Sequence, residues 1–110
     1  MQDPALKIEI LYFAGCPNHP PSVCLAHEVL AELGLEAEVR EVAIETIATA
    51  KRHRFLGSPS LRVNGVDIEI EARSRRDFGL SCRMYSDGGV PARALLVEAL
   101  REALAPRHDL

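Results

Sequence analysis

The chain has 110 residues, 47% apolar and 26% charged, with only 7 Gly and 7 Pro, which excludes a disordered tail or a multidomain protein and predicts one domain over 1–110. Thirteen basic against 16 acidic side chains give a net charge of -3, which argues against a nucleic-acid binder that works by neutralising phosphates. No apolar run reaches the roughly 18 residues of a membrane span, and Met1 to Lys7 lacks a basic end and a hydrophobic stretch, so neither a membrane partner nor a signal peptide is expected.

Leu6 to Phe13 alternates apolar and polar residues and turns apolar on both sets towards its end, the pattern of an interior strand. Gly15, Cys16, Pro17 and Asn18 break it, and Pro20 and Pro21 suit the first turn of a helix running to Leu33. Val23, Ala26, Val29, Leu30 and Leu33 form its apolar stripe, with Gly34 as the stop. Glu36 to Ala43 reads as a second strand, and Glu45 to about His53 as a short helix whose basic end complements the helix dipole. Leu61 to Val63 and Val66 to Ile68 flank Asn64-Gly65, a two-residue hairpin turn. That loop pairs Val63 with Val66, Arg62 with Asp67 and Leu61 with Ile68, and predicts an Arg62–Asp67 ion pair. A last helix runs from Pro91 to Leu104. Residues 71–90 remain a long loop, placed to fold over a functional site.

The resulting order, βαβαββα, predicts an α/β fold with a central mixed four-stranded sheet and helices on both faces. Ligands of such sheets bind beyond the carboxyl ends of the strands, which is where Gly15 and Cys16 fall. A helix start supplies unpaired amides and a positive dipole end, so it favours a thiolate over a thiol. The competing reading of Cys16 is a small buried hydrophobe. The expected compartment is the cytoplasm, and in a reducing compartment three cysteines point to a reactive thiol or a metal ligand rather than a disulfide framework.

Tyr12-Phe13-Ala14-Gly15-Cys16-Pro17 ahead of a helix, and Gly57-Ser58-Pro59-Ser60-Leu61 opening a hairpin, resemble the thioredoxin and glutaredoxin superfamily over nearly the whole chain. The resemblance implies a thioredoxin-like fold, thiol–disulfide exchange on a disulfide or thiol substrate, Cys16 as the nucleophile, and a cis Pro59 lying against its sulfur. It also implies glutathione as a co-substrate, with Arg83 and Ser58 as the residues that would bind it. The chain departs from the two-cysteine pattern, because His19 stands where the second cysteine would be. His19 could bond to the thiolate or take its proton, or it could be a solvated residue before two prolines. It is also similar to small bacterial thioredoxin-like proteins with Gly-Cys-Pro, Gly-Ser-Pro and a later Cys-Arg pair, here Cys82-Arg83.

Cys82 is a candidate resolving thiol, since a loop folded back over the first strand would let it attack a mixed disulfide on Cys16. The other reading is an incidental cysteine in a solvated basic loop. Cys24 falls away from the apolar stripe and is expected at the surface, while His27 borders the stripe and is expected to pack on it. A different function uses the same side chains. Cys16-x-x-His19 and Cys24-x-x-His27 have irregular zinc-ligand spacing, and Cys16 with Cys82 could hold a thiophilic ion such as mercury or copper. A third class is a non-catalytic thioredoxin-like module that binds a protein. No Gly-rich phosphate loop and no Ser/His/Asp set appears, so hydrolase and nucleotide functions are not expected.

Overall fold

The structure, a computed structural model, describes residues 6–86 and 88–105. Strand β1, Leu6–Tyr12, lies at the middle of a four-stranded sheet of order β2-β1-β3-β4. Its parallel neighbour β2, Ala37–Ala43, is reached through helix α1, His19–Leu33, and pairs from Leu6 with Ala37 to Tyr12 with Ala43. On the other side β3, Ser60–Val63, runs antiparallel, with Ile8 opposite Val63 and Ile10 opposite Leu61. The sheet ends at β4, Val66–Asp67. Helix α2, Ile47–Arg52, joins β2 to β3, and helix α3, Arg93–Leu104, closes the chain. The α/β class, the mixed four-stranded sheet and the placing of helices on both faces agree with the sequence reading.

Period-two alternation divides the core in two. Ile8, Ile10, Leu61 and Val63 face α1 and α3, where Ala26, Val29, Leu30, Leu96, Ala99 and Leu100 complete the larger cluster. On the opposite face Leu11 packs with Ile44, Ala50 of α2 and Phe55. Each fully buried aliphatic side chain contributes about 1.5–3 kcal/mol, so the larger cluster dominates the stabilisation. The hairpin turn has Asn64 at φ 52° and Gly65 at φ 84°, the positive pair that a two-residue turn of matching twist requires. Asn64 also ties the turn to β1, accepting from the Lys7 amide at 2.9 Å and donating its own amide to the Lys7 carbonyl at 2.8 Å.

Several local expectations are corrected. Leu33 is 39% exposed, because α1 ends there and Gly34 turns the chain away, and buried Ser22 takes an inner place instead. His27 is exposed rather than packed on the stripe. Helix α2 starts after Thr46, whose hydroxyl accepts from the Thr49 amide at 3.0 Å, so the cap is Thr46 and not the acidic Glu45. Pro91 is buried ahead of α3 and does not open it. Arg62 does stand opposite Asp67 in register, yet no ion pair joins them. Arg62 instead donates to the His53 and Arg54 carbonyls at 2.7 and 2.8 Å, closing the end of α2.

The segment read as a loop over 71–90 is pinned along its course. It begins in a 3-10 turn, Ile70–Ser74. The Gly79 amide then bonds to the Phe55 carbonyl at 3.0 Å, and Ser81 to Arg83 runs beside Ser58 as a parallel bridge. Gly89 lies so close to the Asn18 side chain that a Cβ would overlap it. The loop therefore borders both the Ser58 turn and the start of α1.

Candidate functional site

Beyond Tyr12 the chain turns back, with the Cys16 amide donating to the Phe13 carbonyl at 3.2 Å and Gly15 at φ 85°. Cys16 is only 5% exposed and carries a free thiol. Of the amides expected to stand unpaired around it, from 18 to 22 only that of Asn18 has no main-chain acceptor, and the cause is local sequence. The His19 amide donates to the Cys16 carbonyl, Pro20 and Pro21 have no amide hydrogen, and the Ser22 amide donates to the Asn18 carbonyl. What remains from the helix is the dipole of α1, whose positive end points towards this turn.

His19 is turned elsewhere. Its ring stacks on Tyr12 with centroids 3.6 Å apart and planes inclined by 7°, and its Nε2 is 2.7 Å from Oε1 of Glu41 on β2. That nitrogen is engaged by Glu41, so a bond from His19 to the Cys16 thiol would fall to Nδ1. Tyr12 and Glu41 were not anticipated in the sequence. They sit at the same end of paired strands, a relation visible only once the parallel register is known.

Ser58 is the junction between the Cys16 and Cys82 segments. Its hydroxyl accepts from the Phe13 amide at 3.3 Å, three residues ahead of Cys16. Its own amide donates to the Ser81 carbonyl at 2.8 Å, and its carbonyl accepts from the Arg83 amide at 2.9 Å. The Ser58–Pro59 peptide bond is cis, and Pro59 is fully buried, so it offers no open wall to a substrate. Cys82, between the two anchored residues Ser81 and Arg83, is itself exposed and a free thiol.

Arg83 holds this segment down. Its Nη1 donates to Oδ2 of Asp67 at 2.7 Å and to the Ser60 hydroxyl at 3.0 Å. Its Nη2 donates to Oδ1 of Asp67 and Oε1 of Glu69, both at 2.8 Å. The guanidinium lies 4.7 Å over the Tyr85 ring, and the Tyr85 hydroxyl donates to the Pro59 carbonyl at 2.7 Å. Burial alone would lower the Arg83 pKa, but the Asp67 and Glu69 bonds outweigh it and the net direction is upward. Burial pushes the Tyr85 phenol above its ordinary value, against the opposing charge of Arg83.

The glutathione-binding roles expected of Arg83 and Ser58 do not fit this arrangement. Both terminal nitrogens of Arg83 are spent on internal acceptors, and both main-chain groups of Ser58 are spent on the neighbouring segment. The residues that organise the segment, Asp67, Glu69 and Tyr85, were missed as site residues. A single signal pointed to one of them, an acidic Asp67 between apolar Val66 and Ile68, and it was assigned to Arg62 because only the hairpin partner is legible locally.

Cys24 is exposed on α1, as the sequence implied, and His27 is exposed beside it. Among the described residues no three His, Cys, Asp or Glu side chains gather in a way that would hold a metal ion, so the spacing of Cys16, His19, Cys24 and His27 does not close into a zinc site. Among the described residues no helix is long and apolar enough to cross a membrane. No protein-family model and no curated protein matches the chain.

Proposed function

We propose that the chain is a thioredoxin-like thiol–disulfide oxidoreductase with Cys16 as nucleophile and Cys82 as resolving thiol. The observation that carries this reading is Ser58, which is bonded through its hydroxyl to the turn leading into Cys16 and through its main chain to both neighbours of Cys82. In the forward reaction the Cys16 thiolate attacks one sulfur of a substrate disulfide, forming a mixed disulfide and releasing the other half as a thiolate. The Cys82 thiolate then attacks the Cys16 sulfur, a Cys16–Cys82 disulfide forms, and the second half of the substrate leaves as a thiolate. Protons from the two protein thiols end on the released thiolates. The substrate gains two electrons, and an external thiol reductant returns the pair to dithiol.

The test is reduction of a small aromatic disulfide by the intact chain, with a thiol reductant regenerating it, on wild type, Cys16→Ser and Cys82→Ser. Cys16→Ser is expected to lose turnover, and Cys82→Ser to stall with a mixed disulfide on Cys16 that mass mapping locates. Turnover by Cys16→Ser at the wild-type rate would overturn the assignment.

A further inference from the structure

Beside the hairpin strand that carries Arg62, a cavity of about 280 Å³ is lined by Arg54, Arg62, Arg73 and Arg75 together with Phe78 and Asp67. Four cations in one hollow are out of keeping with a chain of net charge -3. Two of them are matched nearby, Arg73 by a bidentate pair with Glu102 and Arg75 by Asp77. Asp67 forms an ion pair with neither of the others, because both of its carboxylate oxygens are bonded to Arg83. Among the described residues Arg54 and Arg62 have no carboxylate within ion-pair distance, although Glu9 stands opposite Arg62 in the strand register.

Arg62 is half-buried and spends one terminal nitrogen on two main-chain carbonyls, and its Nε and Nη1 meet no acceptor among the described residues. Burial depresses the Arg62 pKa, Arg54 and Arg83 add to that effect, and Asp67 and Glu9 oppose it. An arginine stays protonated regardless, so the hollow holds a half-buried cation with no ion-pair partner among the described residues. Exposed Arg54 lies 5.1 Å over the Phe78 ring, and its guanidinium makes no hydrogen bond to a described residue. Guanidinium donors bind tetrahedral oxyanions by charge-assisted hydrogen bonds, here the free fork of Arg54 and the single donors Nε and Nη1 of Arg62. Two cations without an ion-pair partner match the -1.5 to -2 charge typical of a phosphate monoester.

We propose that this cavity is a binding site for a phosphate group, held by Arg54 and Arg62 with Phe78 as the apolar wall. It contains neither Cys16 nor Cys82, though it shares Asp67 with the Arg83 clamp, and it does not depend on the activity proposed for those thiols. Inorganic phosphate and phenyl phosphate, titrated at constant ionic strength against chloride, are the probes, and amide chemical shifts are the readout. Saturable shifts are expected at Arg54–Leu56, Arg62–Val66 and Arg73–Phe78. Tighter binding of phenyl phosphate would assign an organic ester, and equal affinity free phosphate. Arg54→Asn is the decisive variant, since asparagine tolerates the φ of 56° at that position, and it should weaken binding at least about tenfold by removing one charge-assisted contact. Arg62→Gln should do the same, though it also unties α2. Unsaturable shifts equal in phosphate and chloride, or unchanged affinity in Arg54→Asn, would overturn the proposal.

Discussion

Arg83 grips Asp67 with two parallel hydrogen bonds of 2.7 and 2.8 Å, and the two side chains are 1% and 8% exposed. This is a fully desolvated pair, and it is the clamp that keeps Cys82 beside Ser58. Arg83→Met strands the buried Asp67 carboxylate and is expected to cost about 3–5 kcal/mol in urea unfolding. Asp67→Asn leaves Arg83 paired with Glu69 at 2.8 Å and should cost less, and replacing both by apolar groups is milder still than the two losses together. The double variant Asp67→Leu/Arg83→Met should cost much less than the sum. A loss below about 1 kcal/mol in both single variants, the range of surface pairs, would show that the pair is not buried in solution.

The Tyr85 hydroxyl gives a pH dependence of definite sign. Its pKa is raised in the folded chain because burial disfavours the phenolate. An unfolded tyrosine ionises near pH 10, so above that pH the unfolded state loses a proton that the folded state keeps. Stability is thus fully present below about pH 10 and falls as pH rises beyond it. Denaturation midpoints measured from pH 8 to 11 should turn downward near 10, and Tyr85→Phe should flatten that decline. At neutral pH the same variant should cost about 1 kcal/mol for the lost bond to the Pro59 carbonyl. An unchanged alkaline slope in Tyr85→Phe would assign the decline to other groups.

Gly57 permits the close approach of the Cys82 segment. Its φ is 129°, and a Cβ there would stand 3.0 Å from the Ser81 carbonyl oxygen and 3.1 Å from the Arg83 Cβ. Gly65 has a φ of 84° with nothing within 4 Å of the same position. Gly65→Ala should therefore report backbone strain alone, about 1–2 kcal/mol. Gly57→Ala adds a collision with main chain and should cost at least about 1 kcal/mol more, with faster amide exchange at Ser58 and Arg83. Equal losses for the two would mean that the segment yields without resistance.

Legibility in the sequence followed the range of the interaction. Alternation in β1, the Asn64-Gly65 turn and the apolar stripe of α3 are local patterns, and the sheet, its mixed character and the helix order came from them. Cys16 was placed at the end of β1 by the same means. The partners of Arg83, Ser58 and His19 lie 14 to 45 residues away in sequence, and nothing in a local window ranks Arg83 above Arg62 as the mate of Asp67. Pro20 and Pro21 cut both ways at Cys16, because their missing donors remove anion-holding groups along with the penalty of leaving donors unpaired.

Cys16 and Cys24 supply the sharpest test of the thiol chemistry, because burial and reactivity rank them oppositely. Cys24 is exposed on α1 and Cys16 is 5% exposed. If access alone set the rate, iodoacetamide near pH 7 would modify Cys24 first. The thiolate is the reacting form in alkylation as in disulfide exchange, so a nucleophile of exchange must outrun a thiol that is merely more accessible. The proposed function therefore requires Cys16 to be alkylated faster than Cys24, by several-fold or more, in the folded chain, with the order lost in urea. Mass mapping after short exposures measures both rates in one sample. Slower modification of Cys16 than of Cys24 would leave it a buried packing residue, and the exchange reaction would lose its first step.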